Sequence, residues 1–426
     1  MLTSAISGAI LAASLSPVHA GSPDVYLAAG LRGADEVGSK GDGDGLATVV
    51  LKISGGEVTF AIRWNKVEAP SAARVHLGAK GANGDVKLDF FKRPLPKGVL
   101  AVTGTATADA DLAEQLAAGP GGFYASLRNA AYPEGAVRGR FHKLAKPVDL
   151  DGVLHGSTAA TLSSRAGGTQ TVQAGDGKKH DDSDGDGRKR DDGAATWWLR
   201  PAGAALAYTA TWTGVGAPTG GQVRKGAPGR NGEVVAGLFA DARGLPRNLT
   251  GVAGEAPVAR GVVRRIAADP GAYSSSLRTA GFDGGEVRGR LSAHAPGHPR
   301  ALTADVLEGA QIYQCKGGAF VQLGVRAKLR GGIEHDFAAA FDGPPQWIAP
   351  DGSAVRGKLV AKTPNGDGNI PELLLDATQS GRRGGLLSFA TTILRLNTTG
   401  GVAPTGSCKP GRRIEVPYGA DYLYLG

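Results

Sequence analysis

Cysteine, methionine and aromatic residues are scarce in this chain: of 426 residues two are Cys, one is Met, and Phe, Trp and Tyr together make up 6%. Two cysteines, Cys315 and Cys408, are too few for a thiol-rich metal module. They fit one disulfide in an oxidising compartment, or else two unrelated buried thiols. Few aromatics to stack bases, and a net charge of +9 spread along the chain with no basic arm, exclude a typical nucleic-acid binder. After the first twenty residues no stretch has the roughly eighteen apolar residues that a membrane helix needs. There is no GxSxG, no HExxH and no strand–GxGxxG–helix, and the eight histidines are scattered. No cofactor and no catalytic set is therefore expected.

What the chain has in plenty is glycine, 68 residues, together with 24 prolines. That composition favours many short elements joined by tight turns. Hydrophobic residues at 41% still suffice for packed cores, and the length calls for more than one of them. The first twenty residues, MLTSAISGAILAASLSPVHA, are small, apolar and uncharged, and end in Val18-His19-Ala20 before Gly21. They read as a secretory signal peptide, so the expected location is extracellular or periplasmic. The mild positive charge suits an acidic polysaccharide or another anionic cell-surface component as partner.

The middle of the chain repeats itself. WNKVEAPSAARVHLGAKGANGDV (64–86) lies over WTGVGAPTGGQVRKGAPGRNGEV (212–234) with 11 of 23 columns identical, and GGFYASLRNAAYPEGAVRGRF (121–141) over GAYSSSLRTAGFDGGEVRGRL (271–291) with 10 of 21. Two ordered blocks at nearly one offset indicate a duplicated domain, expected over 21–146 and 151–298. Within each copy the apolar period is two. Val58, Phe60, Ile62 and Trp64 alternate with other residues, as do Leu206, Tyr208, Ala210 and Trp212, which places each set on one face of a strand. TVVLKI and TWWLR precede these runs across Gly-containing turns and predict hairpins. Asn83-Gly84 and Asn231-Gly232 are expected to supply the positive-φ residues of further hairpins. The reading is an antiparallel sandwich per copy. The second copy carries a charged insertion, expected to be a mobile loop over 167–194. Its Asp182, Asp184, Asp186 and Gly187 imitate a calcium loop, but Gly193 stands where the last ligand should be and Arg188-Lys189-Arg190 crowds the centre.

The histidine-bearing strand, the GxxGxNG turn and a late strand ending Val-Arg-Gly-Arg resemble the CHRD domain, over about 24–144 and 151–294. The resemblance implies a β-sandwich of secreted proteins with no established enzymatic activity. Family members carry His-x-His on the first strand and a further His on the strand that here reads YASLRN, a set able to hold zinc or copper. Here those positions are Arg74, His76 and Arg128 in the first copy and Gln222, Arg224 and Arg278 in the second. A guanidinium has no lone pair to offer a metal, so no metal site is expected. His76 becomes a strand residue with a structural hydrogen bond. The pairs Arg74/Arg128 and Arg224/Arg278 are candidate anion-binding residues; the alternative is that each arginine pairs with a local Asp or Glu. Arg138 and Arg288, which the family keeps, are expected to be structural.

The last third, 301–426, is unlike the repeats. IYQC (312–315), PPQWIAPDGSAVRGK (344–358), LSFATTILRLNTTGGVAP (387–404) and VPYGADYLYL (416–425) resemble a secreted family catalogued as domain of unknown function 3455, which implies a mostly β domain. In that family a histidine directly precedes the Gly-Pro-x-Trp segment. Here the ungapped position is Ala340, with His335 five residues earlier. Gly352 to Lys358 spells GxxxxGK, but Leu359 replaces the magnesium-holding Ser/Thr and no helix follows, so it reads as a strand. The sequence thus describes an all-β protein: two CHRD-like sandwiches and a mostly β C-terminal domain, acting by binding or as an extracellular structural module. The alternative is a secreted carbohydrate-active hydrolase with its site in the C-terminal domain.

Overall fold

The computed structural model describes residues 23–156, 160–168, 193–226, 232–295, 300–338 and 343–426. The segment 1–20 and nearly all of the charged loop 167–194 lie outside the described residues. The first repeat contributes strands β1 (Val25–Arg32), β2 (Leu46–Ser54), β3 (Glu57–Asn65), β4 (Ala72–Leu77), β5 (Val86–Phe91), β6 (Val99–Thr107), β7 (Phe123–Arg128), β8 (Val137–Arg140) and β9 (His142–Lys143), with helix α1 (Ala110–Ala118) before β7. Helix α2 (Leu150–His155) links it to the second repeat. That repeat has β10 (Leu162–Gly167), β11 (Ala194–Ala202), β12 (Ala205–Thr213), β13 (Pro218–Lys225), β14 (Val234–Ala240), β15 (Leu249–Pro257), β16 (Tyr273–Thr279), β17 (Val287–Arg290) and β18 (Ser292–Ala293), with α3 (Arg260–Ala268) before β16.

Each repeat is a sandwich. In the first, sheet β1-β2-β3-β6 faces sheet β5-β4-β7-β8, and β1 also bridges to β8 and β9 at one corner. The second repeats the plan with β10-β11-β12-β15 and β14-β13-β16-β17. The alternating sets expected from the sequence do face the core: Val58, Phe60, Ile62, Trp64 and Leu206, Tyr208, Ala210, Trp212 all lie in one continuous apolar cluster. That continuity has a cause not expected from the sequence. β6 pairs antiparallel with β15, so the two front sheets join edge to edge into β1-β2-β3-β6-β15-β12-β11-β10. The pairing is two-fold in kind, since Leu249 meets Gly104 while Gly254 meets Val99. Asn248 secures the junction, its amide donating to the carbonyls of Phe90 (2.8 Å) and Thr105 (3.0 Å).

One turn assignment is corrected. β4 pairs with β5 and β13 with β14 as expected, but neither Asn83 nor Gly84 has positive φ; Gly81 does, at 76°. Gly84 is needed for closeness instead. A Cβ there would lie 1.5 Å from the carbonyl oxygen of Leu77, and one on Gly232 1.3 Å from that of Lys225. Asn231 lies outside the described residues.

The last third is a closed meander barrel of β19 (Ala301–Lys316), β20 (Ala319–Leu329), β21 (Ile333–Phe337), β22 (Pro345–Ile348), β23 (Ala354–Thr363), β24 (Glu372–Gln379), β25 (Thr392–Gly400) and β26 (Arg413–Leu425). Each strand pairs with the next, and β26 returns to β19. Cys315 and Cys408 form a disulfide beside that closing seam. The Gly352–Lys358 segment runs into strand β23, as its reading required. Along β26 the period of two divides Tyr418, Ala420, Tyr422 and Tyr424, which fill the barrel, from Leu423 and Leu425, which pack outward on Ala28, Val50 and Ala61 of the first repeat.

Candidate functional site

The residues singled out by the sequence lie on the outer face of the back sheet in each repeat. On β4 and β7, Ala73, Val75, Ala125 and Leu127 point into the core, so Arg74, His76, Tyr124, Ser126 and Arg128 point away from it. Register places Arg74 opposite Ser126, His76 opposite Tyr124 and Ala72 opposite Arg128. The two arginines are thus diagonal neighbours. Arg74, however, turns to β5, where its Nε donates to Asp89 at 2.9 Å.

His76 is buried and stacked on Tyr124, the rings 4.7 Å apart and 7° from parallel. Its Nδ1 lies 3.0 Å from the carbonyl of Gly84, which can only accept, so Nδ1 carries the proton. Nε2, 3.0 Å from Ser126 Oγ, is then the acceptor. Burial, with Arg128, Arg74 and Arg138 nearby, pushes the imidazole below its usual pKa. Both nitrogens are occupied, and among the described residues no three His, Cys, Asp or Glu come together as a metal site would require.

The other face of Tyr124 carries Arg138, whose guanidinium sits 3.5 Å from the ring centroid. Arg138 also donates to Asn83 Oδ1 (2.9 Å) and to the carbonyls of Ala82 (2.5 Å) and Ala79 (3.3 Å). It ties β8 to the β4–β5 loop, a structural role as expected. Beside it lies a pocket of about 220 Å³ lined by Glu36, His76, Asn83, Tyr124, Ser126 and Arg128 among others. Burial pushes the Glu36 carboxyl up to about 7 against the pull of Arg138 and Arg128. Glu36, on the segment after β1, is a residue that strand patterning could not single out.

The second repeat rebuilds the same face. Arg224 Nη1 donates to the carbonyl of Gly232 at 3.1 Å, the bond His76 makes to Gly84 in the first copy. The strand-to-loop bond is thus kept with a different donor. Ser274 replaces Tyr124, and Arg288 Nε donates to its Oγ at 2.9 Å. Arg278 pairs at 3.0 Å with the exposed Asp283. Burial and mutual repulsion hold Arg224 and Arg288 below the usual guanidinium pKa, Arg224 facing Arg278 and Arg288 facing Arg224. One detail recurs in both copies: Arg128 Nε and Arg278 Nε are buried, and among the described residues neither has a hydrogen-bond partner.

A model of the CHRD domain matches residues 27–141 and 159–291, more than half of the chain. The chain belongs to the CHRD domain family. Its two CHRD copies are followed by a match over 322–426 to a protein of unknown function (DUF3455). No curated protein and no solved structure gives a match. The DUF3455 match starts inside β20, so closure of the barrel depends on β19, which precedes the match.

Within the DUF3455 barrel His335 is wholly enclosed. Its Nδ1 donates to the carbonyl of Gln346 at 2.8 Å, and its ring stacks 4.3 Å from Trp347. Burial pushes its pKa down to about 3. Among the described residues the buried carboxylates of the barrel, Glu372 and Asp421, face the first CHRD copy. Asp421 takes two bonds from Arg32 and one from Asn397. Glu372 faces His142 at 3.1 Å and Arg140 at 3.6 Å. Its burial alone would raise the pKa, but His142 and the Asn397 N–H hold it below the usual value. Both acids are held by cationic side chains of the first CHRD copy, and Asn397 bridges them by donating its backbone N–H to Glu372 and its side-chain amide to Asp421.

Proposed function

We propose that this chain is a non-enzymatic extracellular protein-binding module, and that each CHRD copy receives an anionic group of its partner at the outer arginine face. The observation that carries the reading is the duplicated unspent donor, Arg128 Nε and Arg278 Nε, at equivalent positions. Each Nε is covered while its side chain as a whole is only half-buried, so a carboxylate or sulfate would be received by a small shift of the planar guanidinium, which would bring the unspent donor to it. Arg224 strengthens the second copy, where among the described residues Asp283 is the carboxylate acting on it. In the first copy Arg74 is neutralised by Asp89, so Arg128 carries the role there. A disulfide fits an oxidising compartment, and no described helix is long and apolar enough to cross a membrane.

The test is binding of an acidic peptide and of a sulfated glycan to the full chain at low and high salt, with Arg128→Ala/Arg278→Ala as comparison. Binding that weakens with salt and falls at least about tenfold in the double variant supports the reading. Preference for the peptide favours a protein partner, preference for the glycan an acidic polysaccharide. Binding unchanged by both substitutions would leave these arginines as surface residues.

A further inference from the structure

Arg63 is the anomaly of the front sheet. Alternation along β3 turns it away from the sandwich core, toward α2 and the barrel. Its Nη1 donates to the carbonyl of Leu154 at 2.9 Å. The guanidinium lies flat against Gly156, where a Cβ would come within 2.5 Å of Cζ. Among the described residues no carboxylate pairs with it, in contrast to Arg32 and Arg330, which are held by Asp421 and Asp305. Burial is the sole cause that pushes this guanidinium down, to about 10. A half-buried cation with no counter-charge among the described residues leaves a place for an anionic partner.

Beside Arg63 there is room for that something. A pocket of about 240 Å³ opens between the outer face of the front sheet, α2 and β19, and Arg63, Leu46, Thr48, Asn65, Leu100 and Leu302 line it. The Asp305–Arg330 pair closes another wall and is already neutral within itself. Thr48 and Thr303 hydroxyls lie 3.1 Å apart across the space between the sheet and the barrel. One cation, a few hydroxyl and amide groups and leucine walls are the make-up of a small-molecule site.

We propose that this pocket binds a small monocarboxylate with a compact apolar body, its carboxylate on Arg63 and its body between Leu46, Leu100 and Leu302. The site is formed jointly by the first CHRD copy, the linker helix and the barrel, and it is separate from the outer arginine faces. Isothermal titration of the full chain with benzoate and with hexanoate should show saturable binding, and benzamide, uncharged and of the same shape, should bind at least about tenfold more weakly. Arg63→Gln should reduce benzoate binding by a similar factor, and Leu302→Trp, which fills the pocket while keeping Arg63, should abolish it. Arg128→Ala/Arg278→Ala should leave it unchanged, which separates this site from the partner-binding reading. Saturable binding of neither carboxylate would overturn the proposal. So would equal binding of benzamide, or benzoate binding that survives Leu302→Trp.

Discussion

Glu36 and His335 show opposite consequences of burying a titratable side chain. For Glu36, whose folded pKa is raised from 4.5 to about 7 chiefly by burial, the folded state keeps a proton that the unfolded chain releases between those values. Stability must therefore fall as pH rises through that window. Glu36→Gln should remove this slope, so that the variant's urea midpoint exceeds that of the wild type above pH 7 and not below 4.5. For His335, lowered from 6.5 to about 3, the unfolded chain is the state that binds the proton. Its contribution is complete above 6.5 and is lost as pH falls toward 3, on the order of 5 kcal/mol. His335→Phe keeps the stack on Trp347 and should blunt the acid-induced drop in urea midpoint; an equal drop in the variant would show that the titration lies elsewhere. At this scale the resemblance to the CHRD domain exposed Arg74, His76, Arg128, Arg224 and Arg278, because they stand where family members carry their histidines. Glu36 and Arg63 stayed hidden. Glu36 sits outside any strand, and Arg63 occupies a position that alternation marks as solvated; the linker helix and the barrel, both far along the chain, cover it.

Among the elements, strands were legible and their partners were not. Alternation identified β3 and β12 down to the facing of each residue. The run TVVL in β2 also carried a signal: Val49 and Leu51 face the sandwich core while Val50 faces the barrel, and an unbroken apolar run marks a strand covered on both sides. Helix α1 was not foreseen in the sequence; in the structure Asp109 accepts from the N–H of Leu112 at 2.7 Å as an N-cap, and Leu112, Ala113 and Leu116 form its buried face. The β6–β15 pairing was not expected, because the pattern of each copy ends its front sheet at that strand and does not say what meets the edge. Its weight can be measured at Asn248. Asn248→Ala strips the donor from two carbonyls at the junction and should cost about 1–2 kcal/mol in urea unfolding; a neutral substitution would mean that the backbone ladder alone holds the repeats. The disulfide acts at the barrel seam. Reduction should raise the intact mass by two hydrogen atoms and lower barrel stability by at most about 5 kcal/mol in the chain-entropy model, since β19 and β26 remain paired without it.

As a whole the molecule is one assembly rather than three beads. Leu144, Val148 and Val153 join Leu394, Leu396, Leu423 and Leu425 in a cluster shared by the first repeat, the linker and the barrel. Around it stand the Arg32–Asp421, Lys80–Asn365 and Lys146–Asp376 contacts. Thermal unfolding should therefore show a single transition. Leu396→Asp, which places a charge in that cluster, should split it in two, whereas a split transition in the wild type would mean that the domains melt independently.

The edge-to-edge joining of the front sheets also says what one repeat would be on its own. β6 and β15 are counterparts in the two copies, and each is satisfied by the other through a self-complementary pairing. A single copy would display that strand with its amides and carbonyls unpaired, an invitation to any identical neighbour. Duplication within one polypeptide turns that encounter into an intramolecular certainty, so the covalently tied pair is in effect a homodimer that cannot dissociate and whose sticky margin is already spent.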